Sequence, residues 1–252
     1  MAISTTQGVL TVDTTSDTAD GDTSSISTLL ANKGADGFIS LREAIIATNN
    51  TANGTLADLI GFNIAGAGVH SIQLLSDLPT IWDSVIIDGL TQTGASAGNL
   101  WTGSGHNLLI ELNGDLQVGS VLAGLDIRAK DSVVRGLIIN GFDNNPGTDG
   151  IQIVGADNVT VEYNYIGTDA TGTVAHGNMQ SGIIIQNSAN AVVRGNLISG
   201  NFGPNIFLSM AGTAGTVITG NFVGTDATGM NAFAGGNDGI YTYGLTGTTT
   251  IG

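Results

Sequence analysis

Short runs of apolar, largely β-branched residues recur along most of the chain, each followed by Asn or Gly. The pattern is clearest in a phrase that occurs twice, at residues 164–172 and 221–229, with the shared core Gly-Thr-Asp-Ala-Thr-Gly and a displacement of 57 positions. A shorter copy without that core begins two residues before Asn196, so the steps between the Asn positions are 32 and then 25 residues. A repeated unit of roughly 25 residues is typical of a solenoid.

Each repeat contains two aligned segments of strand-like composition. One set ends on Asn164, Asn196 and Asn221. The other set lies upstream with a matching spacing: residues 150–153, 182–185, 205–208 and 239–242. β-Branched runs bounded by Gly and Asn favour strands over helices. The chain is therefore predicted to be all-β, a right-handed single-stranded parallel β-helix of seven or eight coils, because parallel crossovers are nearly always right-handed.

A different pattern precedes the repeats. Residues 1–37 are rich in Thr, Ser and Asp, and they predict a strand at 8–13 followed by a polar loop. Ser40 and Glu43 then form a capping box, and apolar residues follow at helical spacing as far as Asn49. The pattern predicts one short N-terminal helix, which would cover the first coil and its unpaired strand edges.

The chain divides on these grounds into a capping segment, residues 1–56, and a stack of coils over residues 57–252. The early coils are less regular. Residues 83–85 recur as residues 131–133 after 48 positions, which predicts two coils of about 24 residues in that interval. The pattern stops partway through a repeat at Gly252, so further coils, or a second copy stacked end to end, are expected to cover the last coil.

Residues 39–45 read Ile-Ser-Leu-Arg-Glu-Ala-Ile, and Asn49 follows. This motif resembles the Cys-Ser-Leu-Arg-Glu-Ala motif of large secreted bacterial repeat proteins, with Ile39 where that family usually has Cys. Other segments similar to the same family follow in order: residues 62–66, 72–74, 78–81, 85–92 and the repeated Ile-Gly-Thr-Asp-Ala-Thr-Gly phrase. The resemblance implies a secreted or surface β-helix protein, and it implies no particular chemistry.

Charge and composition narrow the classes of function. Six Lys and Arg against 21 Asp and Glu give a formal net charge of −15, so nucleic acid is excluded as a partner. The chain has no Cys and therefore no disulfide or thiolate metal site. No apolar run approaches the length of a membrane span. The first residues lack the features of a Sec signal peptide, so an extracellular or cell-surface location would be reached by another route.

Alignment of the coils predicts a column of charged residues. Arg135, Glu162, Arg194 and Thr219 share one position, and neighbouring coils lie about 4.8 Å apart. We expect an exposed ladder of ion pairs. The alternative is a uronate-binding strip formed by Arg135 and Arg194, because a guanidinium fork fits a carboxylate, although Glu162 between them would repel such a ligand.

Four acidic residues are candidates for catalysis. Asp149 and Asp238 each precede a Gly-Ile strand, but they lie three coils or roughly 14 Å apart, beyond the ~5 to 9.5 Å that separates glycosidase carboxylates. Asp169 and Asp226 lie roughly 9.6 Å apart in the two copies of one loop, where they are expected to shape the turn. These residues leave a polysaccharide lyase, hydrolase or epimerase open as an alternative function.

Other polar and aromatic residues carry weaker signals. Trp82 and Trp101 lie beside loops, and residues 91–106 form a long polar excursion from one coil. Loop oxygens of Asp and Asn could bind Ca²⁺, but no metal site is defined. The three histidines share no spacing and are expected in loops or turns: His70, His106 and His176.

The Asn residues that follow the aligned strands are expected to have a structural role rather than a catalytic one. If Asn164, Asn196 and Asn221 face inward, their amides would form a ladder that satisfies the backbone at one corner. The sequence therefore favours a non-enzymatic extracellular scaffold or adhesin-like domain of a larger secreted or surface protein. A polysaccharide-acting enzyme, a carbohydrate-binding module and a self-assembling matrix or surface fibre remain alternatives, with extracellular polysaccharide or other copies of the chain as partners.

Overall fold

The computed structural model describes residues 7–117, 123–144, 146–233 and 238–252. These residues form two α-helices, α1 (Ile26–Ala31) and α2 (Leu41–Asn49), and a series of short strands. In chain order the strands are β1 (Val9–Val12), β2 (Asp58–Phe62), β3 (His70–Gln73), β4 (Val85–Asp88), β5 (Ile110–Asn113), β6 (Ala123–Ile127), β7 (Val133–Arg135), β8 (Leu137–Asn140), β9 (Asp149–Val154), β10 (Thr160–Glu162), β11 (Tyr165–Ile166), β12 (Ile183–Gln186), β13 (Val192–Arg194), β14 (Leu197–Ile198), β15 (Ile206–Ser209), β16 (Val217–Thr219), β17 (Phe222–Val223), β18 (Ile240–Tyr243) and β19 (Thr250–Ile251).

The strands form three parallel sheets, which we name by position in the coil. Sheet A has eight strands in the order β1-β2-β4-β7-β10-β13-β16-β19. Sheet B has six, β17-β14-β11-β8-β5-β3, and sheet C has five, β18-β15-β12-β9-β6. From β7 onward each coil contributes one strand to each sheet, so the chain winds as a parallel β-helix. The predicted fold class is confirmed.

Like residues stack on like residues inside the coils. In sheet C, Ile151 pairs in register with Ile183, which pairs with Ile206, and all three side chains are fully buried. In sheet A, Val161 and Val193 stack in the same way. Because side chains alternate between the two faces of a strand, each coil places every second apolar residue in this continuous core.

The early coils differ from the prediction. Ile86 pairs with Val133 and Asp88 with Arg135, so β4 and β7 are neighbours in sheet A. The interval therefore holds one long coil, and the expected division into two coils of about 24 residues is wrong. The matching letters of residues 83–85 and 131–133 are offset by one position from the true pairing, because the polar excursion lengthens this coil and breaks the regular period.

The N-terminal segment covers the start of the stack with two helices. Helix α2 packs against β1 and β2, and its apolar face is buried. Strand β1 pairs in parallel with β2 and is the first strand of sheet A. Helix α1, which begins at its N-cap Ser25, was not predicted, because only Ile26 and Leu29 are buried apolar side chains in an otherwise polar run.

A second apolar cluster lies on the outer face of sheet B. Leu137 and Ile139 of β8 face the core, whereas Ile138 faces outward. The excursion folds back over this outer face. Its Leu100 and Leu108 pack with the outward residues of three successive coils: Ile138, Tyr165 and Leu197. This packing lays the excursion along the axis of the stack.

Candidate functional site

The predicted charge column lies on the outer face of sheet A and includes one more residue. Asp88, Arg135, Glu162 and Arg194 occupy paired positions on four successive strands. Arg135 Nη2 lies 2.7 Å from Asp88 Oδ2, and Arg135 Nη1 lies 3.4 Å from Glu162 Oε1. Arg194 Nη2 lies 2.6 Å from Glu162 Oε2. Acidic and basic side chains thus alternate along the stack.

This column is not the fully exposed ladder that the alignment predicts. The side chain of Glu162 is only 5% exposed between its two arginines, and that of Asp88 is 8% exposed. The side-chain hydrogen bonds to Asp88 and to Glu162 raise the pKa of Arg135 and of Arg194, respectively. Arg135 is held from both sides, whereas the side chain of Arg194 at the end of the column is 53% exposed.

A pocket of about 380 Å³ lies beside Arg194, between the outer face of sheet A and the excursion. Tyr163 and Trp101 line it together with the backbone of Gly195 and Gly220. Arg194 and Gly195 are consecutive, so the guanidinium of Arg194 lies beside the backbone of the two glycines. The charge column and the aromatic excursion, which the sequence presents as unrelated features, meet in this one pocket.

His106 fixes the excursion against the coils. Its backbone amide donates to the Tyr165 hydroxyl over 3.0 Å, and its Nε2 lies 2.7 Å from the carbonyl oxygen of Gly195. The amide of Gly98 donates to Nδ1 over 2.9 Å, so Nε2 carries the proton that reaches Gly195. Burial lowers the pKa of His106, which keeps the ring neutral for this role.

The other histidines lie elsewhere. His176 is 2.8 Å from Asp115 Oδ1 at the surface. His70 belongs to β3 and is buried, so its expected place in a loop or turn is wrong. The sequence shows the alternation of β3 only weakly, because the strand has a single apolar residue, Ile72.

Trp101 lies at the far end of the excursion; the sequence analysis places it beside a loop but does not make it a candidate site residue. Its ring meets that of Phe222 edge to face at a centroid distance of 5.1 Å. It nevertheless stays 69% exposed, as does Trp82. A tryptophan in the longest polar excursion was the available signal, but its partner lies more than 100 positions away in the chain.

Two of the candidate catalytic carboxylates, Asp149 and Asp238, do not come together. Asp149 begins β9, where its side chain is buried and its Oδ1 accepts from the Ser181 amide over 2.8 Å. Burial raises the pKa of Asp149 to about 6. Asp238 is exposed and directly precedes Gly239 and β18, three strands away in sheet C.

Asp169 and Asp226 hold the two copies of one loop. Each copy closes a small antiparallel bridge, Thr168 with Ala175 and Thr225 with Ala232. Asp169 Oδ1 accepts from the backbone amides of the residues four and five positions later. Asp226 makes the same contacts, and hydrogen bonds from Thr228 and Asn231 lower its pKa to about 2. Both carboxylates are occupied by their own turns.

The asparagine column is an internal ladder. Asn164 and Asn196 are completely buried, and the amide and Nδ2 of Asn164 donate to Asn196 Oδ1 over 2.9 and 3.0 Å. Asn196 donates to Asn221 Oδ1 in the same way over 2.9 and 3.0 Å. A second ladder at another corner was missed, although Gly-Asn repeats there: Asn178 Nδ2 donates to Asn201 Oδ1 over 2.8 Å.

The capping box of α2 reaches beyond the helix. Ser40 Oγ accepts from the Glu43 amide over 3.2 Å, and Glu43 Oε2 accepts from the Ser40 amide over 2.8 Å. Glu43 Oε1 also accepts from the amides of Asp20 and Gly21 over 2.9 and 2.7 Å. The buried carboxylate thus ties the polar N-terminal loop to the helix.

Within the four described ranges, no three His, Asp or Glu side chains converge as a metal site would require. Neither α1 nor α2 is long and apolar enough to cross a membrane, and the same holds for every described helix. Comparison with models of known protein families and with the curated proteins finds no match for the chain.

Proposed function

We propose that the chain is a non-enzymatic β-helical scaffold, an adhesin-like domain of a larger secreted or surface protein. The observation that carries the proposal is the position and hydrogen bonding of the four candidate carboxylates. Asp169 and Asp226 are bound within their own turns, and Asp149 and Asp238 lie on separate coils. Acid-base cleavage of a glycosidic bond needs two carboxylates about 5 to 9.5 Å apart.

Asp149 is the carboxylate whose pKa comes nearest to that of a general acid. Its shift arises from burial, and the hydrogen bonds from Ser181 oppose it. Among the described residues, no second charged group contributes to that shift, as it would in a pair that divides the roles of acid and base. A buried carboxylate without such a partner supports a structural role.

The extracellular location and the place among large secreted bacterial repeat proteins belong to the same proposal. They are supported by the motif at residues 39–45 and by the acidic composition. We propose extracellular polysaccharide as the partner of the scaffold, and end-to-end stacking of copies as the alternative mode of assembly.

Turnover assays on a panel of polysaccharides test the proposal. Reducing ends and the absorbance of unsaturated uronate are followed with the unaltered chain, with Asp149→Asn and with Asp226→Asn, and Asp36→Asn, an exposed aspartate outside the candidate set, serves as the control. We expect no product above background from any of the four proteins. Turnover that falls by about 100-fold in Asp149→Asn or Asp226→Asn, but not in the control, would contradict the scaffold, because only a catalytic carboxylate carries that much transition-state energy.

A further inference from the structure

Tyr163 occupies a corner that the neighbouring coils give to glycine. The equivalent residues Gly136, Gly195 and Gly220 have φ values of +72°, +64° and +64°, and Tyr163 has φ +57°. A bulky side chain seldom adopts this left-handed conformation, and such strain concentrates at functional sites. The corner therefore holds an aromatic ring where the repeat alone would place glycine.

Gly195 and Gly220, in the two following coils, have no side chains. They form the base of the pocket, here called the floor, between the side chains of Tyr163 and Trp101. A Cβ added to Gly195 would lie 2.8 Å from the ring of Tyr163, so this ring extends over the next coil. A Cβ added to Gly220 would lie 3.8 Å from Nε1 of Trp101. With coils about 4.8 Å apart, the floor is about two coils wide.

Several polar groups in the pocket are free to bind a ligand. Among the described residues, neither the Tyr163 hydroxyl nor Trp101 Nε1 has a hydrogen-bond partner, and the Thr219 hydroxyl has none. Arg194 donates through Nε and Nη2 to Glu162, which leaves Nη1 without a partner in the same part of the chain. A concave site with aromatic walls and a few convergent donors is the usual form of a small-ligand site.

We infer that this pocket binds a carboxylated sugar residue, such as a uronic acid, of an extracellular polysaccharide. Trp101 and Tyr163 offer apolar ring surface with a polar group at the rim, which suits a pyranose ring. Arg194 presents the free edge of its guanidinium, and this group pairs with carboxylates. The volume of about 380 Å³ lies at the lower end of the range for ligand pockets, roughly 300 to 1,000 Å³.

The acidic surface of the protein does not prevent this binding. The column of two acids and two bases is neutral overall, and the group at its exposed end is the guanidinium of Arg194. Other surface charges are screened over about 8 Å at physiological ionic strength. The inference deepens the proposed adhesin-like function by naming its ligand, and it rests on that function only in expecting no turnover.

Tryptophan fluorescence provides a site-specific measurement, because the chain has two tryptophans and Trp82 lies outside the pocket. In a Trp82→Phe background, Trp101 is the only reporter. We titrate this protein with trigalacturonate and with the matched neutral sugar galactotriose, and confirm affinities by calorimetry. We expect the acidic sugar to change Trp101 emission with a Kd on the order of 1 mM or tighter, and the neutral sugar to bind at least about tenfold more weakly because it lacks the charge-assisted bond to Arg194.

Three variants separate binding from folding. Arg194→Gln is expected to weaken binding of the acidic sugar by about tenfold or more and to leave binding of the neutral sugar unchanged. Tyr163→Gly restores the glycine of the neighbouring coils, so the fold should be kept while binding of both sugars is lost. Arg128→Gln, which removes an arginine paired with Asp126 away from the pocket, is the matched control and should bind normally.

Equal affinity for the two sugars, no response to millimolar acidic sugar, or unchanged binding by Arg194→Gln would each overturn the inference. Binding accompanied by release of products would support the pocket but contradict the non-enzymatic function. If neither binding nor products are detected, the inference about the pocket would be wrong and the scaffold proposal would stand. The two proposals therefore fail separately.

Discussion

Asp149 stands in line with Ser181 of the next coil, and this single carboxylate changes how stability depends on pH. Its pKa is raised from about 3.8 to about 6 by burial. Below pH 3.8 the group is protonated in both the folded and the unfolded chain, so it costs nothing. Between these two values the unfolded chain releases the proton first, and the free energy of unfolding falls as the pH rises.

Asp149→Asn should therefore stabilise the protein at neutral pH. The amide oxygen can still accept from the Ser181 amide, and the cost of a buried charge disappears. We expect a gain of about 1 to 3 kcal/mol at pH 7.5 and almost none at pH 3.5, measured by urea unfolding at both values. Equal effects at the two pH values would show that burial does not perturb this group.

At the scale of elements, the asparagine ladder joins sheet A to sheet B at every coil from β7 to β16. Asn164 Oδ1 accepts from the Leu137 amide over 3.0 Å, and Asn196 Nδ2 donates to the Val161 carbonyl over 2.9 Å. The amides thus satisfy corner backbone groups that strand pairing leaves free. The ladder position was predictable, because Asn follows three of the aligned strands, at Asn164, Asn196 and Asn221.

Asn196→Leu keeps the side-chain volume but removes the amide from the centre of the ladder. Several buried groups, among them the Asn164 amide, lose their partner, so we expect a loss of about 3 kcal/mol or more. Asn221→Leu is the comparison: it also takes the Oδ1 acceptor from the buried Asn196, but the amide of Asn221 itself is half-buried and can bond to water, so we expect a smaller loss of about 2 kcal/mol. Equal losses in urea unfolding would place the two residues in equivalent surroundings.

The capping box of helix α2 offers a similar comparison between two variants. Ser40→Ala removes one capping bond and should cost about 1 kcal/mol. Glu43→Gln should cost about 3 kcal/mol or more, because its buried carboxylate accepts from Ser40, Asp20 and Gly21, and an amide group would oppose donors with a donor. Thermal unfolding of both variants, with light scattering for aggregation, measures the difference. A larger loss for Ser40→Ala would contradict the central role of Glu43.

At the scale of the whole molecule, the two ends of the stack are unlike. Helices cover the start, where α2 packs against β1 and β2. In the described part of the chain, β17, β18 and β19 each end their sheet. Tyr243 and Ile251 of this last coil are 66% and 56% exposed. Exposed strand edges with apolar side chains favour pairing with another chain.

Expressed alone, the 252-residue chain should therefore associate as its concentration rises. Ile251→Lys should suppress this association, because a charge on the edge strand opposes pairing. Leu56→Lys is the matched control, since Leu56 is 55% exposed but precedes β2 near the other end of the stack. Sedimentation velocity over a concentration series distinguishes them, and a strict monomer throughout would argue against pairing through this edge.

The sequence by itself determined the parallel β-helix, the strands of the regular coils, the capping box and the places of the ladder asparagines. Each of these leaves a local or periodic mark, since a repeated coil repeats its turn residues and its buried positions. The column of Arg135, Glu162 and Arg194 was visible for the same reason, although its burial was not.

Only the tertiary structure decided which residues from distant parts of the chain, outside the regular repeat, come into contact. The pairing of β4 with β7, the contact of Trp101 with Phe222 and the pocket beside Arg194 join residues that are far apart in the chain and share no period. The raised pKa of Asp149 is of the same kind, because it depends on which side chains exclude water from the carboxylate. Periodicity fixes which residues recur, whereas burial and long-range packing decide which of them meet.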